Sequence, residues 1–259
     1  MPRANRCFLP GHVWHITHRC HKKEFLLKFA RDRRRWLYWL FEAKKRFGMC
    51  VLNYMVTCNH IHLLVQDRGD GEIARSMQLV AGRTGQEYNR RKGRKGAYWE
   101  DRYHATAVDT DDYLARCLAY IDLNMVRAGV VSHPAQWPAS GYREIQDPPK
   151  RYRIIDVPVL MDLLGIRDLP ILQRTRRQWV EEALKTDWKE REGRWSESLA
   201  IGNRAFVEAV KAQLGLAARY RELCEEDEAC HLKEPPAIYA ANFGPKIVTL
   251  SDETASILK

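Results

Sequence analysis

Thr57-Cys58-Asn59-His60-Ile61-His62-Leu63-Leu64-Val65 is the stretch from which the fold can be read. Upstream of it, Val51-Leu52-Asn53-Tyr54-Met55-Val56 reads as one β-strand. His60 to Gln66 reads as a second, with Thr57-Cys58-Asn59 as the tight turn between them. Successive side chains on a strand point to opposite faces, so His60 and His62 share one face while Ile61 and Leu63 pack on the other. Two imidazoles one strand-step apart can bind a single metal ion, or they can be ordinary residues of a polar face. A second element has to decide.

That element is Ala119-Tyr120-Ile121-Asp122-Leu123-Asn124-Met125-Val126-Arg127-Ala128-Gly129. Thr110-Asp111-Asp112 supplies an N-cap and first-turn acids, and Gly129 a stop, so residues 112–127 read as one helix. At about 100° per residue, Leu114, Cys117, Leu118, Ile121 and Met125 form its core stripe. Tyr113, Arg116, Tyr120, Asn124 and Arg127 form a separate stripe, which places Tyr120 and Asn124 one turn apart between two arginines. A tyrosine in this position can anchor a helix edge through its hydroxyl or do chemistry.

The flanking elements complete a pattern. His12 to Arg19 reads as a strand with Trp14, Ile16 and His18 on one face and His15, Thr17 and Arg19 on the other. The histidines at 12, 15, 18 and 21 tempt a metal reading, but a spacing of three does not hold side chains on one strand face. Arg31 to Phe47 reads as a helix with Trp36, Leu37, Leu40, Phe41 and Phe47 inward. Its basic residues Arg31, Arg33, Arg34, Arg35, Lys44, Lys45 and Arg46 lie mostly outward, to track a DNA backbone or to solvate the helix. Glu72 to Arg90 reads as a second helix, with Ile73, Met77, Val80, Ala81, Thr84 and Tyr88 as its stripe. A Gly-broken basic loop follows, with Arg91, Lys92, Arg94 and Lys95, then Tyr98, Trp99 and Arg102. Positive charge interleaved with aromatics suits phosphate contacts and base stacking on single-stranded nucleic acid. His104 to Val108 reads as a short strand. The order strand, helix, strand, strand, helix, strand predicts an α+β, ferredoxin-like βαββαβ antiparallel sheet. In it the 60–66 strand is central, the helices cover one face, and the tyrosine helix is appended on the other.

Charge sharpens the division of the chain. The 259 residues carry a formal net charge of +10, with 45% hydrophobic and 10% aromatic residues, enough for a sizeable core. Residues 1–147 hold 25 Lys+Arg against 15 Asp+Glu, whereas residues 148–259 hold 18 of each. A polyanion such as nucleic acid is the natural partner of the first part. Asp147 to Arg153 reads as a linker, so 1–147 is expected as one domain and 148–259 as a mainly helical extension with a flexible tail. Within the extension, Pro158 to Leu164 and helices at about 171–185 and 196–214 are expected. The first residues are polar, with no signal-peptide apolar region, and no run reaches the length of a membrane span; a cytoplasmic, nucleoid-associated protein is the expectation. Seven scattered cysteines point to reduced thiols, and Cys224, Cys230 and His231 are too few for a structural zinc site.

Four ordered stretches resemble one known family, the REP-associated tyrosine transposases, within the single-tyrosine HUH transposases. They are Pro10-Gly11-His12-Val13-Trp14-His15-Ile16-Thr17, Asn59 to Val65, Tyr120 to Val131, and Trp137-Pro138-Ala139-Ser140-Gly141-Tyr142. The resemblance covers about residues 8–146, and Arg194-Trp195 with the helical stretch after it resembles the extension of longer members. Three positions depart from the pattern: Cys58 stands where the family usually has Pro, Asp122 often where it has His, and Met125 where it has Pro. The last bears on the bend at the end of the tyrosine helix.

The resemblance implies a metal-dependent single-stranded DNA endonuclease and strand transferase. Tyr120 would be its covalent nucleophile, forming a 5′-phosphotyrosine. His60 and His62, with the Asn124 carbonyl oxygen, would hold Mg²⁺ or Mn²⁺. Arg91, Lys92, Arg94, Lys95, Trp99, Arg102, Arg116 and Arg127 are the expected DNA contacts. The implied partner is single-stranded DNA with hairpins from repetitive extragenic palindromes, bound by a monomer or by a dimer with swapped tyrosine helices. The alternative is a domesticated palindromic-DNA hairpin-binding protein with little or no catalysis. Rolling-circle initiation fits the Tyr120 to Val131 stretch less well, and an unrelated metal hydrolase leaves Tyr120 and the basic charge unexplained.

Overall fold

The structure is a computed structural model and describes residues 8–110, 112–185, 192–226 and 229–233. Short apolar runs produce β1 (Val13–Arg19), β2 (Cys50–Val56), β3 (His60–Gln66) and β4 (His104–Val108). Between them lie α1 (Ala30–Phe47) and α2 (Glu72–Lys92). The helix α1 stops at Gly48, whose φ of 73° lets its N–H reach back to the Lys44 carbonyl, a turn that a side chain would strain. The sheet order begins β2-β3-β1-β4, with β1 antiparallel to both β3 and β4, as the βαββαβ reading requires. Trp36, Leu40, Ile73, Met77 and Val80 are buried in one core with Trp14, Ile16, Ile61 and Leu63. His60 and His62 therefore face the opposite side, in the middle of the sheet.

That side is covered by α3 (Asp112–Asp122) and α4 (Asn124–Arg127). The single helix expected over 112–127 is broken at Leu123, where ψ opens to 0° and the Leu123 carbonyl accepts from both Val126 and Arg127. Tyr120 and Asn124 thus sit on separate short helices around a bend that no proline enforces. Leu114, Cys117, Leu118, Ile121 and Met125 are buried as the stripe predicts. Asp111, part of the expected N-cap, lies outside the described residues, as do the first seven residues and the tail expected to be flexible.

The free edge of β2 is closed by residues 137–141. Trp137 donates its indole N–H to the Val56 carbonyl, and Ser140 bridges to Met55 and caps α5 (Gly141–Gln146). Gly141 approaches β2 so closely that a Cβ there would lie 2.1 Å from Asn53 Oδ1. Arg33, expected outward, is buried instead. It donates to the Leu27 and Lys28 carbonyls, with its guanidinium 4.5 Å from the Trp137 ring centroid.

The remaining described residues include α6 (Val157–Leu163), α7 (Leu169–Lys185), α8 (Arg194–Glu197), β5 (Ala200–Gly202), α9 (Arg204–Leu214), β6 (Glu222–Glu226) and β7 (Ala229–Lys233). The helix expected over 196–214 is in fact two helices around a strand. Gly202 passes so near Asp109 and Phe206 that any Cβ would clash, and Asn203 caps α9 by accepting from the Phe206 N–H. The strand β5 pairs in parallel with β4, giving a seven-stranded sheet, β2-β3-β1-β4-β5-β7-β6. The sheet therefore continues across the boundary expected at 147/148, and the extension is built from strands as well as helices. Arg176 of α7 pairs with Asp122 at the end of α3, both essentially inaccessible to solvent.

Candidate active site

Strand register brings His15 beside His62. Thr17 lies opposite His62 and His15 opposite Leu64 on the shared face, so His15 and His62 are diagonal neighbours across the β1–β3 pair. His15 Nε2 lies 2.9 Å from His62 Nδ1, and His15 Nδ1 lies 2.8 Å from the backbone carbonyl of Trp195. A carbonyl has no proton to give, so His15 carries its hydrogen on Nδ1. Burial lowers the His15 pKa to about 4, outweighing the carbonyl hydrogen bond that favours its charged form. Neutral His15 then accepts at Nε2, and the hydrogen of His62 lies on Nδ1.

His60 is held in the same tautomer. Its Nδ1 is 2.8 Å from Asn59 Oδ1, and that amide is oriented by donating its N–H to the Lys23 carbonyl. Thr57 Oγ1 lies 3.0 Å from the same nitrogen while donating to the His60 carbonyl. Both imidazoles therefore turn an Nε2 lone pair toward the same point, with the two nitrogens 3.1 Å apart. The Asn124 side-chain amide reaches within 2.9 Å of His62 Nε2. As oriented it donates to the lone pair; rotated by half a turn it would present its carbonyl oxygen.

Tyr120 completes the cluster. Its ring is 2% exposed, edge-on to His62 at 5.9 Å and to His15 at 6.1 Å, and stacked on Trp195 at 5.8 Å. The Arg127 guanidinium lies 4.2 Å from the Tyr120 ring centroid. Burial lowers the Arg127 pKa, while charge on Tyr120 or Glu192 would favour its protonated form. His60, His62, Tyr120, Asn124 and Arg127 open into one cleft of about 550 Å³, whose rim adds Arg19, Arg102 and the acids Glu100, Asp101 and Glu197.

Residues 10–124 match the family model described as IS200-like transposase. This segment is similar to the transposases of that family. The family is one of DNA-processing enzymes, the transposases. No curated protein matches the chain. Among solved structures, a REP-associated tyrosine transposase bound to a REP hairpin is similar over 60% of this chain and 94% of its own, at 17% identity and a TM-score of 0.47. A transposase structure from Deinococcus radiodurans is similar over 46% and 95%, at 14% identity and a TM-score of 0.33.

Of the residues expected to contact DNA, Arg102 and Arg127 lie in the cleft. Trp99 stacks on His18 at 4.1 Å and donates its indole N–H to the Ala81 carbonyl, so one ring face and its donor are already engaged. Arg91 pairs with Asp32, and Lys92 lies 5.7 Å from the Phe29 ring centroid. Arg94 binds the Ala97 carbonyl, and Lys95 is exposed. Arg116 lies outside the cleft, beside Tyr113 and Trp179. Other arginines of the basic half, Arg31, Arg34, Arg35 and Arg90, line a groove of about 510 Å³ with Tyr38, between α1 and α2. Sequence reading gave neither His15 nor Trp195 a role in the site, although both lie in stretches quoted for the resemblance, Pro10 to Thr17 and Arg194-Trp195.

The buried His15 makes stability depend on pH. The unfolded chain protonates this imidazole near pH 6.5, whereas the folded protein does so only near 4. Its contribution is thus complete above about pH 6.5 and is lost as the pH falls through 4. Urea unfolding is expected to show roughly 3 kcal/mol of acid destabilisation from this group, and His15→Gln should flatten that part of the profile. An unchanged profile in the variant would assign the acid sensitivity to other groups.

Proposed function

We propose that this protein cuts and rejoins single-stranded DNA at hairpin-forming repetitive palindromes, using Tyr120 as nucleophile and His60, His62 and Asn124 to hold Mn²⁺ or Mg²⁺. The observation that carries the reading is the convergence of two Nε2 lone pairs, 3.1 Å apart, beside a tyrosine ring in an IS200-like domain. Two such lone pairs accommodate a shared proton or a shared cation. Metal–nitrogen bonds of about 2.1 Å at a right angle span about 3.0 Å, so the donor set fits a divalent metal, with Asn124 oxygen as a third ligand after the amide rotates. Bound there, the metal would polarise the scissile phosphate and stabilise charge developing on it.

The chain's own residues supply the rest. The Tyr120 phenol oxygen attacks phosphorus and releases its proton; the bond from phosphorus to the 3′ oxygen breaks, and that oxygen leaves as a 3′-OH after taking up a proton. Arg127 over the ring favours the phenolate form that attacks. The phosphotyrosyl bond retains the energy of the broken phosphodiester, so a 3′-OH can reverse the step and join strands. The hairpin substrate, a monomeric state and the DNA contacts rest on resemblance to the REP-associated members.

The test uses hairpin-bearing single strands labelled at the 3′ end, incubated with protein and Mn²⁺. A labelled adduct mapped to Tyr120 by peptide mass analysis is expected. His60→Ala and His62→Ala should each lower adduct formation by about 10³-fold while retaining hairpin binding. Binding without any adduct would establish the hairpin-binding alternative, and no binding at all would overturn the substrate class.

A further inference from the structure

We infer that the segment around Trp195 is a working part of the catalytic centre: its backbone carbonyl, acting through His15, sets the tautomer of His62, and its indole holds the ring of Tyr120. The first link is the chain from the Trp195 carbonyl to His15 Nδ1 at 2.8 Å and from His15 Nε2 to His62 Nδ1 at 2.9 Å. The carbonyl fixes which nitrogen of His15 donates, and His15 in turn fixes which nitrogen of His62 keeps its lone pair. Without that chain the His62 hydrogen is free to move to Nε2, where it would occupy the position between His62 and His60. The second link is the stack of Trp195 on Tyr120, with the indole N–H anchored on Glu192 at 2.9 Å.

One residue thus bears on both halves of the site. The segment is tied to the sheet at that place. Thr106 Oγ1 donates its shared proton to the carbonyls of Trp195 and Ser198, at 3.3 and 2.6 Å, just before β5 pairs with β4. His15 is accordingly a positioning residue, outside the metal shell that it orients. Outer hydrogen bonds of this kind typically change metal affinity by about 10–100-fold.

The metal part of this inference rests on the reading under "Proposed function", so the test has a readout that needs no metal. Long-range ¹⁵N–¹H correlation spectra of the metal-free, full-length protein report which ring nitrogen of each histidine is protonated. His15 and His62 are both expected to be protonated at Nδ1; a hydrogen on His62 Nε2 would overturn the relay, and this measurement requires no variant to fold.

Mn²⁺ titration followed by electron paramagnetic resonance then compares variants. His15→Leu is expected to weaken binding by about 10–100-fold. His15→Gln, whose amide can both donate to the carbonyl and accept from His62, should recover most of the loss. Equal affinity in His15→Leu and the wild type would overturn the positioning role. A wild-type protein that binds no Mn²⁺ would defeat the metal reading itself, leaving the relay to be judged by the spectra.

Discussion

Tyr120→Phe is expected to lower cleavage and adduct formation by at least about 10⁴-fold, the loss that follows removal of a covalent nucleophile, with little effect on folding or hairpin binding. The ring is 2% exposed and packed among His15, His62 and Trp195, with Arg127 over its face. Phenylalanine keeps those contacts and deletes one oxygen, so stability should change by no more than about 1 kcal/mol. The size of the rate loss separates two chemistries. A tyrosine that merely anchored the helix would leave a water to attack the phosphate, and the variant would still cut. Retention of more than a tenth of wild-type cleavage, measured in single turnover, would therefore remove Tyr120 from the nucleophile's role.

The second large effect is on stability. Asp122→Ala is expected to destabilise the fold by about 3–5 kcal/mol, because it leaves the Arg176 guanidinium buried with its ion partner removed. Arg176 is 1% exposed, and its Nε and Nη1 find no other partner among the described residues. Asp122 is further held by Asn53 Nδ2 at 3.0 Å. Burial raises the Asp122 pKa, with Arg176 and Asn53 opposing it, so charge here is tolerated because it is paired.

A double variant, Asp122→Leu with Arg176→Met, should recover most of the loss, since apolar residues of similar size replace both charges. Chemical unfolding of the two single variants and the double variant measures the coupling directly; a single-variant loss below about 1 kcal/mol would mean that the pair does not hold the helix end. The pair also accounts for a departure noted in the sequence. Asp122 is one of the three positions noted as departing from the resembled pattern, and its partner comes from α7, beyond the residues that the resemblance covers.

The ferredoxin-like core was legible because each of its elements announces itself locally. Short β-prone runs bounded by turn residues gave β1 to β4, and 3.6-residue stripes gave α1, α2 and the start of the tyrosine helix. His60 and His62 followed from strand alternation alone. What the sequence hid depends on partners distant along the chain. His15 becomes informative only when the β1–β3 register places it diagonally from His62. Ala200 to Gly202 is too short to show a period, so its apolar residues passed for helix until pairing with β4 defined them as a strand. The break at Leu123 lacks the proline that would mark it. Arg33 looked like a solvated charge because nothing local signals two carbonyls and the Trp137 ring waiting for it.

The contact between Tyr120 and Trp195 has a consequence for the order in which the protein is made. Chains leave the ribosome N-terminus first, so both histidines and the tyrosine emerge while the residue that braces them is still untranslated, 75 positions further on. A nascent or prematurely terminated chain would therefore display the reactive groups without their final alignment. Placing this brace at Trp195 ties the final alignment of the cluster to synthesis well past the residues, 10–124, that carry the family match.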